Sequence, residues 1–127
     1  MDEHQVANPG WWRGRARSFG HAFRGLAICF RTQANARIHA LATVLVVALG
    51  FALKLVAWEW CAVALAIASV WAAECFNTAM ESVVDLVSPE RQPLAGRIKD
   101  LAAGAVLAAA IGAAVVGAII FGPKLWG

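Results

Sequence analysis

Apolar residues run along most of this chain in blocks too long and too unbroken for the half-buried elements of a soluble domain. The longest charge-free stretch lies between Asp100 and Lys124, and its core from Leu101 to Phe121 is almost wholly apolar. At about 1.5 Å per residue, a helix of this length crosses the roughly 30 Å hydrocarbon layer of a bilayer. A second run, Ile38 to Leu53, is closed by Lys54, whose long stem can snorkel its ammonium to the interface. A third, Trp60 to Ala73, is shorter, but its helical pattern continues through Glu74 to Val87. This middle span is apolar in its first half and increasingly polar in its second. Trp58 and Trp60 stand between the first two spans, where aromatic belt residues belong. Pro89 and Pro93 break the chain between the second and third, because proline cannot continue a helix. The pattern predicts an all-α protein with transmembrane spans over about 38–56, 60–87 and 98–121.

Ahead of the first span the pattern changes. At 100° per residue, Phe19, Phe23, Leu26 and Phe30 fall within about 60° of one another, and Arg13, Arg17, Arg24 and Arg31 lie about 120–160° from Phe19. Residues 11–37 therefore read as a basic amphipathic helix in the headgroup layer, with Trp11 and Trp12 as interface anchors. The alternative is an amphipathic helix packed on another protein surface. Residues 1–10, with His4, read as a flexible tail, and residues 38–127 as one three-span domain.

Composition agrees with this division. At 127 residues, 61% of them hydrophobic and 15% charged, a soluble domain has too much surface for its volume to hide its apolar side chains. No apolar stretch directly follows the first positive residues, so the N-terminus does not read as a signal peptide. Cys29, Cys61 and Cys75 are odd in number and form no CxxC pair, which argues for packing residues rather than a disulfide framework or a thiolate zinc site. Of eleven basic residues, Arg13, Arg15, Arg17, Arg24, Arg31 and Arg37 precede the first span, and Arg91, Arg97 and Lys99 occupy the second connection. Only Lys54 and Lys124 fall on the other side, so the N-terminus and the segment from Ser88 to Asp100 are expected in the cytoplasm.

The third span carries small residues every fourth position: Ala105, Ala109, Ala113 and Gly117, with Gly104, Ala108 and Gly112 beside them. Such stripes let helices approach closely in lipid and point to a homo-oligomer, although alanine is also common throughout the chain. On the middle span, Glu74, Asn77, Glu81 and Asp85 are spaced three, four and four apart and share about 80° of the helix, with Thr78 alongside. Carboxylates at membrane depth cost several kcal/mol each by most estimates, so they need partners and usually a task. Asp85 also fits a solvated helix end, whereas Glu74 follows a fourteen-residue uncharged stretch. Clustered carboxylates with an asparagine are oxygen ligands suited to Mg²⁺. Lys99 and Asp100 could neutralise a phosphate and help hold that metal, and a base at the lipid boundary would serve an alcohol arriving from the bilayer. The spacing alone permits proton-coupled transport equally well.

Read as a motif, Glu74-Cys-Phe-Asn77-Thr78-Ala79-Met-Glu81-Ser-Val-Val-Asp85 resembles the Glu-x-x-Asn-Ser/Thr-Ala-x-Glu-x-x-x-Asp signature of the prokaryotic diacylglycerol kinase and undecaprenol kinase family. The segment from Pro93 through Lys99-Asp100, with Ala22-Phe23-Arg24-Gly25-Leu26 and Arg37-Ile38-His39 upstream, is similar to the same family, over about Arg17 to Phe121. That resemblance implies a homotrimer of three-span subunits in the bacterial cytoplasmic membrane. It implies transfer from Mg-ATP to a lipid alcohol without a Walker A loop, and no GxxxxGK[ST] occurs here. Glu74 would be the general base and Glu81 a metal ligand, with Asn77 beside the phosphates. Lys99 and Asp100 would contact nucleotide, with Glu90, Arg91, Gln92 and His21 near it. Gln33 stands where many members have a second metal-binding glutamate, so its amide brings an oxygen but no charge. Arg37-Ile38-His39 and Pro93-Leu94 lean toward the undecaprenol kinases. The partners implied are the lipid alcohol, ATP, the bilayer and further copies of the chain, with no nucleic acid. Two rival readings are a proton-coupled exporter, which would move substrate without ATP, and a structural adaptor, whose polar face would bind a partner. His39 itself reads as a structural hydrogen-bonder at the membrane boundary.

Overall fold

A computed structural model describes residues 9–127 of the protein as four α-helices: α1 (Pro9–Thr32), α2 (Ala34–Ala52), α3 (Ala57–Val87) and α4 (Pro93–Trp126). The three spans and the amphipathic helix before them are all present, and no strand occurs among the described residues. The tail expected over residues 1–10, with His4, lies outside the described residues apart from Pro9 and Gly10, which open α1. The surface segment and the first span, expected to meet near residue 37, meet at Gln33. That residue is extended (φ −111°, ψ 119°), and residues 34–37 belong to α2. The elbow is held from both sides. Gln33 N–H donates to the Cys29 carbonyl at 3.1 Å, and the Arg37 guanidinium donates to the carbonyls of Arg31 (2.7 Å) and Phe30 (3.4 Å). A helix C-terminus leaves carbonyls without intrahelical donors, and here an arginine supplies them.

Nineteen residues of α2 span about 28 Å, the thickness of the hydrocarbon layer, whereas the 31 of α3 and 34 of α4 run to about 46 and 51 Å. The α3–α4 hairpin therefore extends well past the start of α2. Ser88 ends α3, its N–H donating to the Val84 carbonyl at 2.8 Å, and Pro93 opens α4, where proline's missing N–H is harmless. α4 packs along α3, while α2 packs against α1 and α3 and sends Val46 and Leu49 toward the cluster at the end of α4.

At the opposite end Leu55, Val63, Ile120 and Phe121 bury one another. The Glu59 carboxylate accepts the Val56 N–H at 3.0 Å and pairs with Lys124 at 3.2 Å, tying the first turn of α3 to the last of α4. The tight turn between α2 and α3 puts Lys54 at φ 54°, while Gly50 lies so close to Trp60 that an added Cβ would stand 2.6 Å from the indole. Elsewhere the apolar side chains face outward: Phe51, Leu65, Leu107 and Ile119 are all exposed. In water that surface would drive aggregation; in lipid it is the solvated face. An added Cβ at Gly104 or Gly112 meets nothing within 4 Å, and both are exposed with Ala108 between them, so packing on α3 leaves this stripe of α4 uncovered.

Candidate functional site

The helices converge at Glu74. It sits on α3, 13 residues or about 20 Å before Val87, and its side chain is only 1% exposed. Neither carboxylate oxygen receives a hydrogen bond among the described residues. The nearest basic group is His39 on α2, whose Nε2 stands 3.6 Å from Glu74 Oε2. A hydroxyl bridge fixes this crossing: Trp71 Nε1 donates to Thr43 Oγ1 at 3.2 Å, and Thr43 donates in turn to the His39 carbonyl at 2.7 Å. On the other side Cys29 of α1, buried, lies 3.8 Å from Thr78 Oγ1, and Thr78 donates to the Glu74 carbonyl at 2.9 Å. Thr78 thus anchors α1 against α3 directly above the carboxylate.

One turn on, Asn77 is 7% exposed and donates from Nδ2 to Glu81 Oε1 at 3.3 Å, while its Oδ1 is buried without a donor. Glu74 and Asn77 line a cleft of about 290 Å³ together with Asn35 and His39 of α2 and an apolar wall from α4 that includes Val106 and Leu107. From His39 an apolar groove of about 200 Å³ continues past Val46, Ile67 and Val70 toward Phe121. At the tip of the hairpin a larger, more polar cleft of about 490 Å³ is lined by Asp85, Ser88, Glu90, Arg91, Gln92 and Lys99. There Lys99 Nζ pairs with Asp85 Oδ1 at 2.7 Å.

The residues singled out in the sequence thus gather in two places on one side of α3. Glu74, Asn77 and Glu81, with Thr78 behind them, form the inner group; Asp85, Glu90, Arg91, Gln92 and Lys99 form the outer. Asp100 is exposed beside Lys99, while His21 is exposed on α1 and Gln33 sits half-buried at the elbow; these three line neither cleft. Among the described residues no three His, Cys, Asp or Glu side chains stand close enough to hold a metal by themselves. The donors that are present, the Glu81 carboxylate and the orphaned Asn77 Oδ1, are hard oxygens. Mg²⁺ takes one or two carboxylates and completes its shell with phosphate and water, so this set fits a metal that arrives with a phosphate.

His39, expected from the sequence to be a structural hydrogen-bonder, faces the Glu74 carboxylate with its imidazole. A signal was present: His39 with Thr43 on one apolar span, and Trp71 with Glu74 on the next, each pair at helical spacing.

Comparison with known proteins places this arrangement among relatives. Residues 20–121 match the family described as prokaryotic diacylglycerol kinase. The chain is 41% identical over 109 residues to the undecaprenol kinase of Bacillus subtilis, covering 86% of this chain and 89% of that one. It is 45% identical over 94 residues to a diacylglycerol kinase of Synechocystis, covering 73% of this chain and 54% of that longer protein.

Proposed function

The chain belongs to the prokaryotic diacylglycerol kinase family and is a membrane lipid kinase; we propose that it moves the γ-phosphate of ATP onto the hydroxyl of undecaprenol, in preference to diacylglycerol, at the cytoplasmic face. The observation that carries the reading is Glu74, a carboxylate 1% exposed, with no hydrogen-bond donor on either oxygen, beside a cleft walled by apolar helix. A lipid alcohol can enter from the bilayer with its chain along the groove from His39, and its hydroxyl finds a base that water cannot reach. Glu74 accepts the hydroxyl proton as the alcohol oxygen bonds to the γ-phosphorus and the bond to the departing ADP breaks.

The outer cleft suits the nucleotide. Lys99 is held by Asp85, yet that pair is largely exposed (41% and 68%), and such pairs are worth about 0–1 kcal/mol. A triphosphate therefore competes readily for the lysine. Arg91, Gln92 and Glu90 border the same space, with Asp100 adjacent and His21 on the surface helix. Glu81 and Asn77 Oδ1 would hold Mg²⁺, with Gln33 offering a neutral carbonyl oxygen; when bound, the metal neutralises charge on the phosphates. The distribution of arginine and lysine supports a cytoplasmic N-terminus and hairpin tip, hence a site on the inner side of the cytoplasmic membrane. The uncovered small-residue stripe of α4 supports assembly as a homotrimer.

Purified protein in mixed micelles, given Mg-ATP labelled at the γ-phosphate and a panel of lipid alcohols, tests the proposal. Label should appear on undecaprenol faster than on diacylglycerol. A folded protein that labels no lipid alcohol would remove the proposed activity; faster labelling of diacylglycerol would remove only the preference.

A further inference from the structure

We infer that His39 is the proton relay of Glu74, a residue that acts through the buried carboxylate by taking from it, at an unprotonated Nε2, the proton gained in each turnover. The inference rests on the kinase reading with Glu74 as base. A carboxylate that has accepted the hydroxyl proton must lose it before the next turnover, and one only 1% exposed cannot deliver it to water directly. His39 is the polar way out. Its Nε2 stands 3.6 Å from Glu74 Oε2, its side chain is 21% exposed, and it lines both the Glu74 cleft and the groove that continues from it. Catalytic contacts of this length are common before substrate binds and tighten afterwards.

A purely structural histidine would spend its ring nitrogens on backbone or side-chain partners. The His39 imidazole makes no hydrogen bond to any other described residue, and its helix is positioned instead through its own carbonyl by Thr43 and Trp71. The ring is therefore free to serve the carboxylate. The other titratable groups near Glu74 are few. α1 brings Cys29, and α3 brings Cys75 beside Glu74 and Glu81 two turns on. The residues of α4 that line the cleft are Ala103, Val106, Leu107 and Ala110, none of them titratable.

The step balances without any further reagent. The hydroxyl O–H bond breaks to Glu74 Oε2 as the oxygen–phosphorus bond forms and ADP leaves. The same proton then passes from Glu74 to His39 Nε2, and the imidazolium releases it into the open part of the cleft. Imidazole suits the second transfer because one ring nitrogen can accept a proton while the other already carries one.

The test compares wild type, His39→Gln, His39→Ala and Glu74→Gln as assembled, ATP-binding protein in the labelled-phosphate assay, across pH. Glutamine can donate to the carboxylate but cannot carry a proton. His39→Gln should lower kcat by about 10²-fold, leave the KM for Mg-ATP unchanged, and alter the shape of the wild-type pH profile. His39→Ala should fall as far and recover with added imidazole, which fits the neighbouring cleft. A Gln variant with wild-type kcat and pH profile would overturn the relay, as would an assembled Ala variant that imidazole does not restore. If Ala does not assemble, the Gln variant decides. Glu74→Gln separates the two ideas: if it still turns over, the base assignment itself fails. If it is inactive while the His39 variants match wild type, only the relay falls.

Discussion

Replacing Glu74 by glutamine is expected to lower kcat by about 10²- to 10⁴-fold while the helices remain assembled and ATP still binds. The size of the effect follows from the site. Glutamine keeps the volume and polarity of the side chain but has no basic oxygen, and no other carboxylate lines the inner cleft. Stability should change in the opposite direction or not at all, because the wild-type carboxylate is buried with neither oxygen hydrogen-bonded. Removing a charge that lacks hydrogen-bond donors relieves a desolvation penalty. Phosphorylated lipid measured alongside nucleotide binding and thermal unfolding in detergent checks both halves. A glutamine variant that turns over normally would take away the role of Glu74 as base.

Glu81 carries the second large effect. Its Oε1 is paired with Asn77 Nδ2, and the partnerless Asn77 Oδ1 completes the oxygen donors of that turn. Glu81→Gln retains the hydrogen-bonding shape and removes the charge that would bind a divalent cation. With neutral Gln33 offering no compensation, the Mg²⁺ concentration needed for half-maximal rate should rise by about 10- to 100-fold, on the scale seen when a supporting group of a metal site is lost. The KM for the lipid should stay put. A titration of rate against Mg²⁺ at saturating ATP reads this, and an unshifted curve would exclude Glu81 from the metal's shell.

Much of this molecule is legible in one dimension. The spans are long uniform runs, and the surface helix shows its two faces by period. The stripe Glu74–Asn77–Glu81–Asp85 is visible because four polar residues at helical spacing stand out against alanine and valine. Relations between helices were hidden. In a helix that is apolar all round because lipid surrounds it, hydrophobic periodicity cannot say which face meets a neighbour. Nothing in either span alone announces that His39 faces Glu74, that Lys124 closes on Glu59, or that Lys99 reaches Asp85 across the hairpin. The elbow at Gln33 was hidden for a different reason. No proline or glycine marks it, and it is fixed by Arg37 reaching back to the end of α1, a contact made only once both helices exist.

The packed cluster and the polar clefts lie apart along the hairpin. The apolar cluster around Phe121 and the Glu59–Lys124 clasp secure one end, the Glu74 cleft lies near the middle of α3, and the other end carries a solvated ion pair and the polar cleft. Substitutions around Gly50 or Trp60 should therefore reach activity only by unfolding the protein, whereas those along the polar stripe should alter rate in a folded one.

Sidedness tests the account most directly. In sealed vesicles with the protein inserted in one known orientation, labelled ATP is supplied to one side at a time and lipid phosphate is counted. Label should reach the lipid only when ATP shares a side with the connection between α3 and α4. Equal labelling from the side of Glu59 and Lys124, or labelling from that side alone, would contradict it.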